Sequence, residues 1–263
     1  MKQNIKELEQ TFDNELSKYD QTTKTFHHKL SQYVTLNNLD MEIRAFKNPN
    51  ILDGGCGTGT IAVKLLKDGY NVVLLDISSK NIEIARKKIE NENLNTKYYI
   101  GNCEETTFEN DTFDIVMLNG AVISYTPNPE KLLREANRIL KKNGMIWFDF
   151  FNSAGWALEM SELSLACEIA KSELKLIQMP DWKYPARVFS LEYIEKLVQK
   201  NGFLIKNEYG LINLTHAMNL NIRYSDNITE DLIKKYQEIE LEYSRDKRKI
   251  GLAWSCIISG IKK

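Results

Sequence analysis

Asp53 heads the run Gly54-Gly55-Cys56-Gly57-Thr58-Gly59, which follows the apolar pair Ile51-Leu52 and leads into an amphipathic stretch from Thr60 to Lys67. The order reads as strand, glycine turn, helix. Such a turn lets a ligand lie against bare backbone and near the N–H groups that open a helix. A second carboxylate, Asp76, ends the next apolar run, Val72-Val73-Leu74-Leu75. Two familiar chemistries of glycine turns do not fit. A phosphate-cradling loop ends in Gly-Lys-Ser/Thr, whereas Gly59 is followed by Thr60-Ile61. The dinucleotide spacing G-x-G-x-x-G fails from Gly55, because its sixth position is Thr60, and from Gly54, because it breaks at Cys56.

The elements that must position these residues can be read from pattern. Val72–Leu75 is a continuous apolar run, which suits a strand buried on both faces of a parallel sheet. Further strands are expected at Lys97–Ile100, Phe113–Asn119, Met145–Phe151, Phe203–Tyr209 and Leu252–Ile261. Helices follow Ser78 or Ser79 as cap and Asn128-Pro129-Glu130 as a start signal, and Gly120 to Thr126 reads as irregular. Four strand–helix alternations with short links predict an α/β, Rossmann-like, doubly wound and mainly parallel sheet of seven strands with helical lid insertions. Ligands in such sheets bind at the carboxyl ends of the strands. Asp53, Asp76, Asn102 and Asn119 all fall at expected strand ends and converge on one edge.

Residues 1–46 read as an N-terminal helical lid of two helices, one carrying Ile5, Leu8, Phe12, Leu16 and Tyr19 at helical spacing. Residues 47–263 read as one domain, with cap insertions at about 152–187 and 210–250 expected to gather over the strand ends. In the second, Ile228-Thr229 before Ile233 resembles a staple and cap for a helix reaching Ser244. His27 and His28 are neighbours on a helix and point apart, so they do not form a metal pair, and at least one is expected at the surface.

Among 263 residues, 43% are hydrophobic and 27% charged, enough for a core and a solvated surface. The net charge of -1 gives no support for a nucleic-acid or anionic-membrane partner. The four cysteines lack close metal-ligand spacing, so reduced thiols, no metal and a cytoplasmic setting are expected. No apolar run approaches the ~18 residues of a membrane span. Monomer and homodimer both remain open.

The motif D-x-G-x-G-x-G from Asp53 to Gly59 resembles the class I S-adenosylmethionine-dependent methyltransferases. The resemblance continues through Asp76, Gly101-Asn102-Cys103-Glu104-Glu105, Phe113-Asp114-Ile115-Val116 and Pro127-Asn128-Pro129-Glu130 to Asn143-Gly144, and covers roughly residues 47–151. It implies S-adenosylmethionine as cofactor, with Gly54, Gly55, Gly57 and Gly59 forming the loop. Asp53 would help hold the amino group through that loop or a water, and Asp76 the ribose. Ile77 would pack on the adenine, Asn102 and the Cys103 backbone would meet its edge, and Asn119 would lie near the methionine amino group. Tyr19 joins this cofactor set. Two departures stand out. Gly54 occupies a place usually aliphatic, which is expected to loosen packing under the loop, and Asn102 replaces a frequent aspartate.

Methyl transfer from a sulfonium is an in-line displacement that depends on alignment and exclusion of water, and it needs a base only when the acceptor must lose a proton. The resemblance therefore carries over no fixed catalytic residue; Tyr125 and His216 are the candidates. Phe26, Tyr125, Trp156, Tyr184, Arg187 and His216 are the candidate acceptor contacts. The expected activity is methylation of a nitrogen or oxygen of a small molecule. The alternatives are a methyltransferase for RNA or a protein, and a non-catalytic S-adenosylmethionine-binding module.

Overall fold

The structure, a computed structural model, describes residues 3–14, 25–178, 183–214 and 228–263. Two helices precede the sheet, α1 (Ile5–Asn14) and α2 (Phe26–Ile43). Then come β1 (Asn50–Gly54), α3 (Thr60–Lys67), β2 (Asn71–Asp76), α4 (Ser79–Asn91), β3 (Lys97–Ile100) and β4 (Phe113–Leu118). A short helix α5 (Val122–Tyr125) and α6 (Pro129–Ile139) lead to β5 (Leu140–Asn152). The five strands are parallel in the order β3-β2-β1-β4-β5. The chain thus moves outward from β1 in both directions, and the reversal lies between β1 and β4, where a crevice opens at the strand ends.

The helices start as their caps direct. The Ser78 side chain accepts the Asn81 N–H and Asn128 accepts the Lys131 N–H, with Pro129 in the first turn. β5 shows why the sheet is buried on both faces. Ile146, Phe148 and Phe150 join the cluster under α6, while Met145 and Trp147 join the cluster under α2, α3 and α4. β5 begins at Leu140 rather than Met145, because Leu140 already pairs with Phe113 across a bulge.

After β5 the chain forms α7 (Ser153–Ala157), α8 (Leu163–Lys171), β6 (Leu174–Ile177) and β7 (Ala186–Phe189). The hairpin β6–β7 adds to the edge of β5 through Phe151↔Val188 and Asn152↔Phe189. With α9 (Leu191–Lys200), β8 (Phe203–Leu211), α10 (Glu230–Ser244), α11 (Lys247–Ile250) and β9 (Ser255–Lys262), the described residues hold nine strands in one sheet. The seven expected strands are all present, and the two extra are β6 and β7. β9 runs antiparallel between β5 and β8.

α2 packs on a sheet face rather than over the strand ends. Its Leu30, Val34, Leu39 and Ile43 share a cluster with Ile51, Leu74 and Trp147. Glu42, only 2% exposed, ties it to β8: its carboxylate accepts from Lys206 Nζ (2.7 Å), Asn207 Nδ2 (2.6 Å) and Tyr209 OH (2.7 Å). His27 is buried edge-on against Trp254 and His28 is half-buried, so neither lies at the open surface. Thr229 caps α10 through its backbone carbonyl alone, without a side-chain bond. Among the described residues no helix is long and apolar enough to cross a membrane.

Candidate active site

The glycine loop is shaped by three left-handed residues, Gly55 (φ 69), Gly57 (φ 53) and Gly59 (φ 75). A side chain at Gly55 would place its Cβ 2.5 Å from Val122 Cγ2, so the loop is seated directly on α5. At Gly57 nothing lies within 4 Å, and a Cβ there would project into the cleft that this residue lines. The loop is fixed to β2 by Gly55 N–H and Cys56 N–H, which donate to the Leu75 carbonyl (2.7 and 3.1 Å). Gly57 N–H donates to Asp76 Oδ2 (2.8 Å), while Asp76 Oδ1 accepts from Ser78 N–H (2.8 Å) and Asn81 Nδ2 (3.1 Å).

A cleft of about 810 Å³, counting its open mouth, runs along the strand ends. At the β2 and β3 side it is lined by Asp76, Ile77, Asn81, Gly101, Asn102 and Cys103. At the β1 and β4 side it is lined by Gly55, Gly57, Asn119, Gly120 and Val122, and its far wall is Leu8, Phe12, Tyr125 and Thr126. No lysine, arginine or histidine is among these lining residues. Asp53, Gly54 and Gly59 stand behind the lining. Asp53 is 2% exposed and its carboxylate has no hydrogen bond from the other described residues; burial, with Asp76 adding, pushes it up to about 7. Burial also raises Asp76, against the pull of its three hydrogen bonds.

Gly54 does not loosen the packing beneath the loop. A Cβ there would meet Leu118 Cδ2 at 3.0 Å and Cys103 Sγ at 3.3 Å, so these two side chains take up the room an aliphatic residue would fill. Burial pushes the Cys103 thiol up, which keeps it a packing group rather than a thiolate. The Asn102 side-chain oxygen accepts the Glu104 N–H (2.9 Å) and so braces its own turn. The Asn119 oxygen accepts from Trp147 Nε1 (2.9 Å), while its Nδ2 is buried without a partner.

Tyr125 lines the cleft, its ring edge-on to Phe12 (5.7 Å) and to Phe151 (5.6 Å). Four other expected acceptor contacts do not line the cleft. Phe26 is buried on the sheet face with Tyr236. Trp156 packs between Phe151 and Trp254. Tyr184 is buried and donates to the Asn4 carbonyl (3.1 Å). The Arg187 guanidinium is engaged by the carbonyls of Thr126 and Pro127 and by the Gln3 side chain. Tyr19 and His216 lie outside the described residues.

The reading from sequence missed Leu8, Phe12, Asn81, Gly120, Val122 and Thr126 as lining. Leu8 and Phe12 carried a signal, the apolar stripe of an extension that had to pack on something. α1 is pinned across the cleft at both ends. Gln3 Nε2 donates to the carbonyls of Ser124 (3.2 Å) and Pro185 (2.8 Å), and Asp13 accepts from Ser78 Oγ. Among the described residues no group of three acidic, histidine or cysteine side chains could hold a metal.

Chemically, the cleft offers a carboxylate for a diol, backbone N–H and carbonyl groups for an amino acid, and an apolar far wall. Residues 52–148 match the family described as Methyltransferase domain. Over 119 residues the chain is 28% identical to a ubiquinone biosynthesis O-methyltransferase of Coxiella burnetii, covering 45% of this chain and 50% of that protein. It thus spans about half the length of that relative. An uncharacterized protein of Methanocaldococcus jannaschii is 28% identical over 219 residues, 80% of this chain and 81% of its own. In fold the chain is similar to an S-adenosylmethionine-dependent methyltransferase of Thermotoga maritima, described as a possible histamine N-methyltransferase. The TM-score is 0.61 at 20% identity, covering 97% of this chain and all of that one. Residues 52–148 thus carry a methyltransferase domain, and the strand order and the glycine loop with Asp76 are those of the S-adenosylmethionine-dependent methyltransferase fold, which implies S-adenosylmethionine as cofactor.

Proposed function

We propose that the protein transfers a methyl group from S-adenosylmethionine to a nitrogen or oxygen of a small-molecule acceptor, releasing S-adenosylhomocysteine. The observation that carries this reading is Asp76. It is a buried carboxylate lining the cleft at the end of β2, and among the described residues that lining holds none of the cations a phosphate-bearing cofactor would call for. The residues fit the cofactor in two further respects. Asn119 Nδ2 is a buried donor that lacks an acceptor, and suits the methionine carboxylate. The open space beyond Gly57 leaves room against bare backbone.

On this reading Asp76 binds the ribose hydroxyls, Ile77 packs on the adenine, and Asn102 with the Cys103 backbone meets its edge. Gly55 and Gly57 flank the methionine portion. Asp53, unbonded behind the loop, complements the cofactor's amino group through the loop or a water. Bound S-adenosylmethionine supplies an electrophilic methyl on a sulfonium sulfur. The chain's own part is alignment and exclusion of water: Leu8 and Phe12 close the cleft from α1, and Tyr125 and Thr126 shape the far end. Among the described residues the titratable lining groups are Asp76, Cys103 and Tyr125. The strap of α1 across the cleft supports a small acceptor over RNA or a protein. Four free cysteines support the cytoplasm as the place of action.

The test is a screen of small amines and phenols for S-adenosylhomocysteine release above the acceptor-free rate. Turnover with a small acceptor supports the proposal. Turnover restricted to RNA or peptides refutes the small-molecule part, and cofactor binding without any turnover favours a binding module.

A further inference from the structure

Asp149 is an acid inside the apolar run of β5, between Phe148 and Phe150, and it is only 7% exposed. No cation pairs with it among the described residues. It does not line the cleft. Its carboxylate instead faces the turn that follows β4. Ala121 N–H lies 3.0 Å from both carboxylate oxygens, and Ser255 Oγ stands 3.5 Å from Oδ2.

The turn it holds is unusual. Gly120 (φ 81) and Ala121 (φ 57) are consecutive left-handed residues. For a residue with a Cβ that conformation costs about 1–2 kcal/mol. A buried carboxylate taking the Ala121 N–H on both oxygens offsets this cost and satisfies a donor that would otherwise be orphaned at the start of α5. The turn also leads two ways into the site. It presents Asn119 and Gly120 to the cleft, and it starts the helix whose Val122 seats Gly55.

The strand order divides the cleft. β3 and β2 lie on one side of β1 and β4 lies on the other. With the ribose at Asp76, the adenine falls toward β3, and the amino-acid half falls toward β4, where Asn119 and Gly120 are.

We propose that Asp149 is a positioning residue for the amino-acid half of the cofactor, holding the Gly120–Ala121 turn so that Asn119 and Gly120 face that half. This rests on the cofactor reading above. Asp149→Asn keeps the size but replaces one of the two oxygens that share the Ala121 N–H with an NH₂ group that opposes it. Protonation acts in the same direction, and burial pushes Asp149 up to about 6.

The experiment compares S-adenosylhomocysteine with adenosine, which lacks the amino-acid half, by calorimetry on wild type and Asp149→Asn. S-Adenosylhomocysteine affinity is expected to fall about tenfold or more, as for loss of a charge-assisted hydrogen bond, while adenosine affinity stays within about twofold. An acid that only supports the fold would weaken both ligands together. A second measurement uses the wild-type protein, so a variant that fails to fold leaves the proposal testable. S-Adenosylhomocysteine is expected to shift the NMR signals of the Gly120 and Ala121 amides, and adenosine to leave them in place. Equal loss of both ligands in the variant, unchanged S-adenosylhomocysteine binding, or equal amide shifts with adenosine would overturn the role of Asp149 alone. Wild-type protein that binds neither ligand overturns the cofactor reading itself.

Discussion

Replacing Asp76 with alanine separates the cofactor's ribose contact from the stability of the loop. The carboxylate has three protein donors: Gly57 N–H, Ser78 N–H and Asn81 Nδ2. Alanine leaves these without an acceptor and, on the proposed reading, also removes the acceptor for two ribose hydroxyls. Hydrogen bonds to a charged group contribute about 1.5–3 kcal/mol each, so the two ribose bonds amount to about 3–6 kcal/mol, or roughly 10²- to 10⁴-fold in Kd. The cost to folding is offset in part. The free carboxylate is already penalised by burial, which raises it despite its three bonds, and no cation is left unpaired by its removal. Asp76→Ala should therefore fold while binding S-adenosylhomocysteine at least about 100-fold more weakly, with adenosine weakened in parallel. Asp76→Asn, which retains one acceptor oxygen, should fall between. Calorimetry with S-adenosylhomocysteine, a ligand that does not turn over, gives the affinities, and thermal unfolding without ligand gives the stability. A folded Asp76→Ala protein whose affinity stays within about threefold of wild type would refute the ribose assignment and the reasoning behind it.

Two glycines of the loop should respond differently to alanine. Gly55→Ala meets Val122 at 2.5 Å and is expected to destabilise by about 2–4 kcal/mol in chemical denaturation, with part of the loss recovered in the double variant with Val122→Ala. Gly57→Ala meets no atom, so it should cost only about 1–2 kcal/mol of stability while its Cβ, placed in the cleft, lowers cofactor affinity in calorimetry. For Asp53, raised to about 7, the native state binds more protons than the unfolded state between about pH 4 and 7, so this group makes the free protein less stable as pH rises through that window. A cofactor ammonium favours its carboxylate. Binding should therefore release a proton and tighten from pH 6 to 8, and Asp53→Asn should flatten that profile in titrations run in buffers of different ionisation enthalpy. Glu42 has the opposite sign. Burial raises it, but the bonds from Lys206, Tyr209 and Asn207 outweigh burial and leave it lowered. Its stabilisation is present above the ordinary carboxyl range and lost as acid approaches its lowered value. Glu42→Ala should cost about 2–3 kcal/mol at neutral pH in urea unfolding, the lower end of the range because Lys206 is partly exposed.

The parts of the fold legible in the sequence were those in which local pattern and tertiary context agree. Val72–Leu75 is apolar throughout because β2 is buried on both faces, and Asp76 ends it because the chain there meets the loop. The short strands β6 and β7 were not legible. Each has four residues of mixed character, and only pairing with each other and with Phe151 and Asn152 makes them strands. Lys141-Lys142-Asn143-Gly144 reads as a helix stop yet lies within β5, because Leu140 already pairs with Phe113.

At the site, sequence position indicated which residues stand at strand ends but not which side of the backbone they reach. Asn102 stands at its strand end, but its side-chain oxygen turns back to the Glu104 N–H. Arg187 reads as a ligand cation because long polar side chains in insertions often are. It is instead engaged by backbone carbonyls that α/β connections leave without partners. Phe26 and Trp156 read as cleft aromatics, but both fill sheet-face and insertion cores, where most of an aromatic's apolar area is buried. Asp149 had a sequence signal, a single acid in Trp147-Phe148-Asp149-Phe150-Phe151, whose meaning depends on a turn 28 residues earlier in the chain.

On the proposed reading the cleft between the glycine loop and α1 takes S-adenosylmethionine. A calorimetric titration of the wild-type protein with S-adenosylmethionine tests it most directly. Saturable binding at one site per chain, competed by S-adenosylhomocysteine, is expected. Protein that is folded by circular dichroism and shows no detectable binding would contradict it.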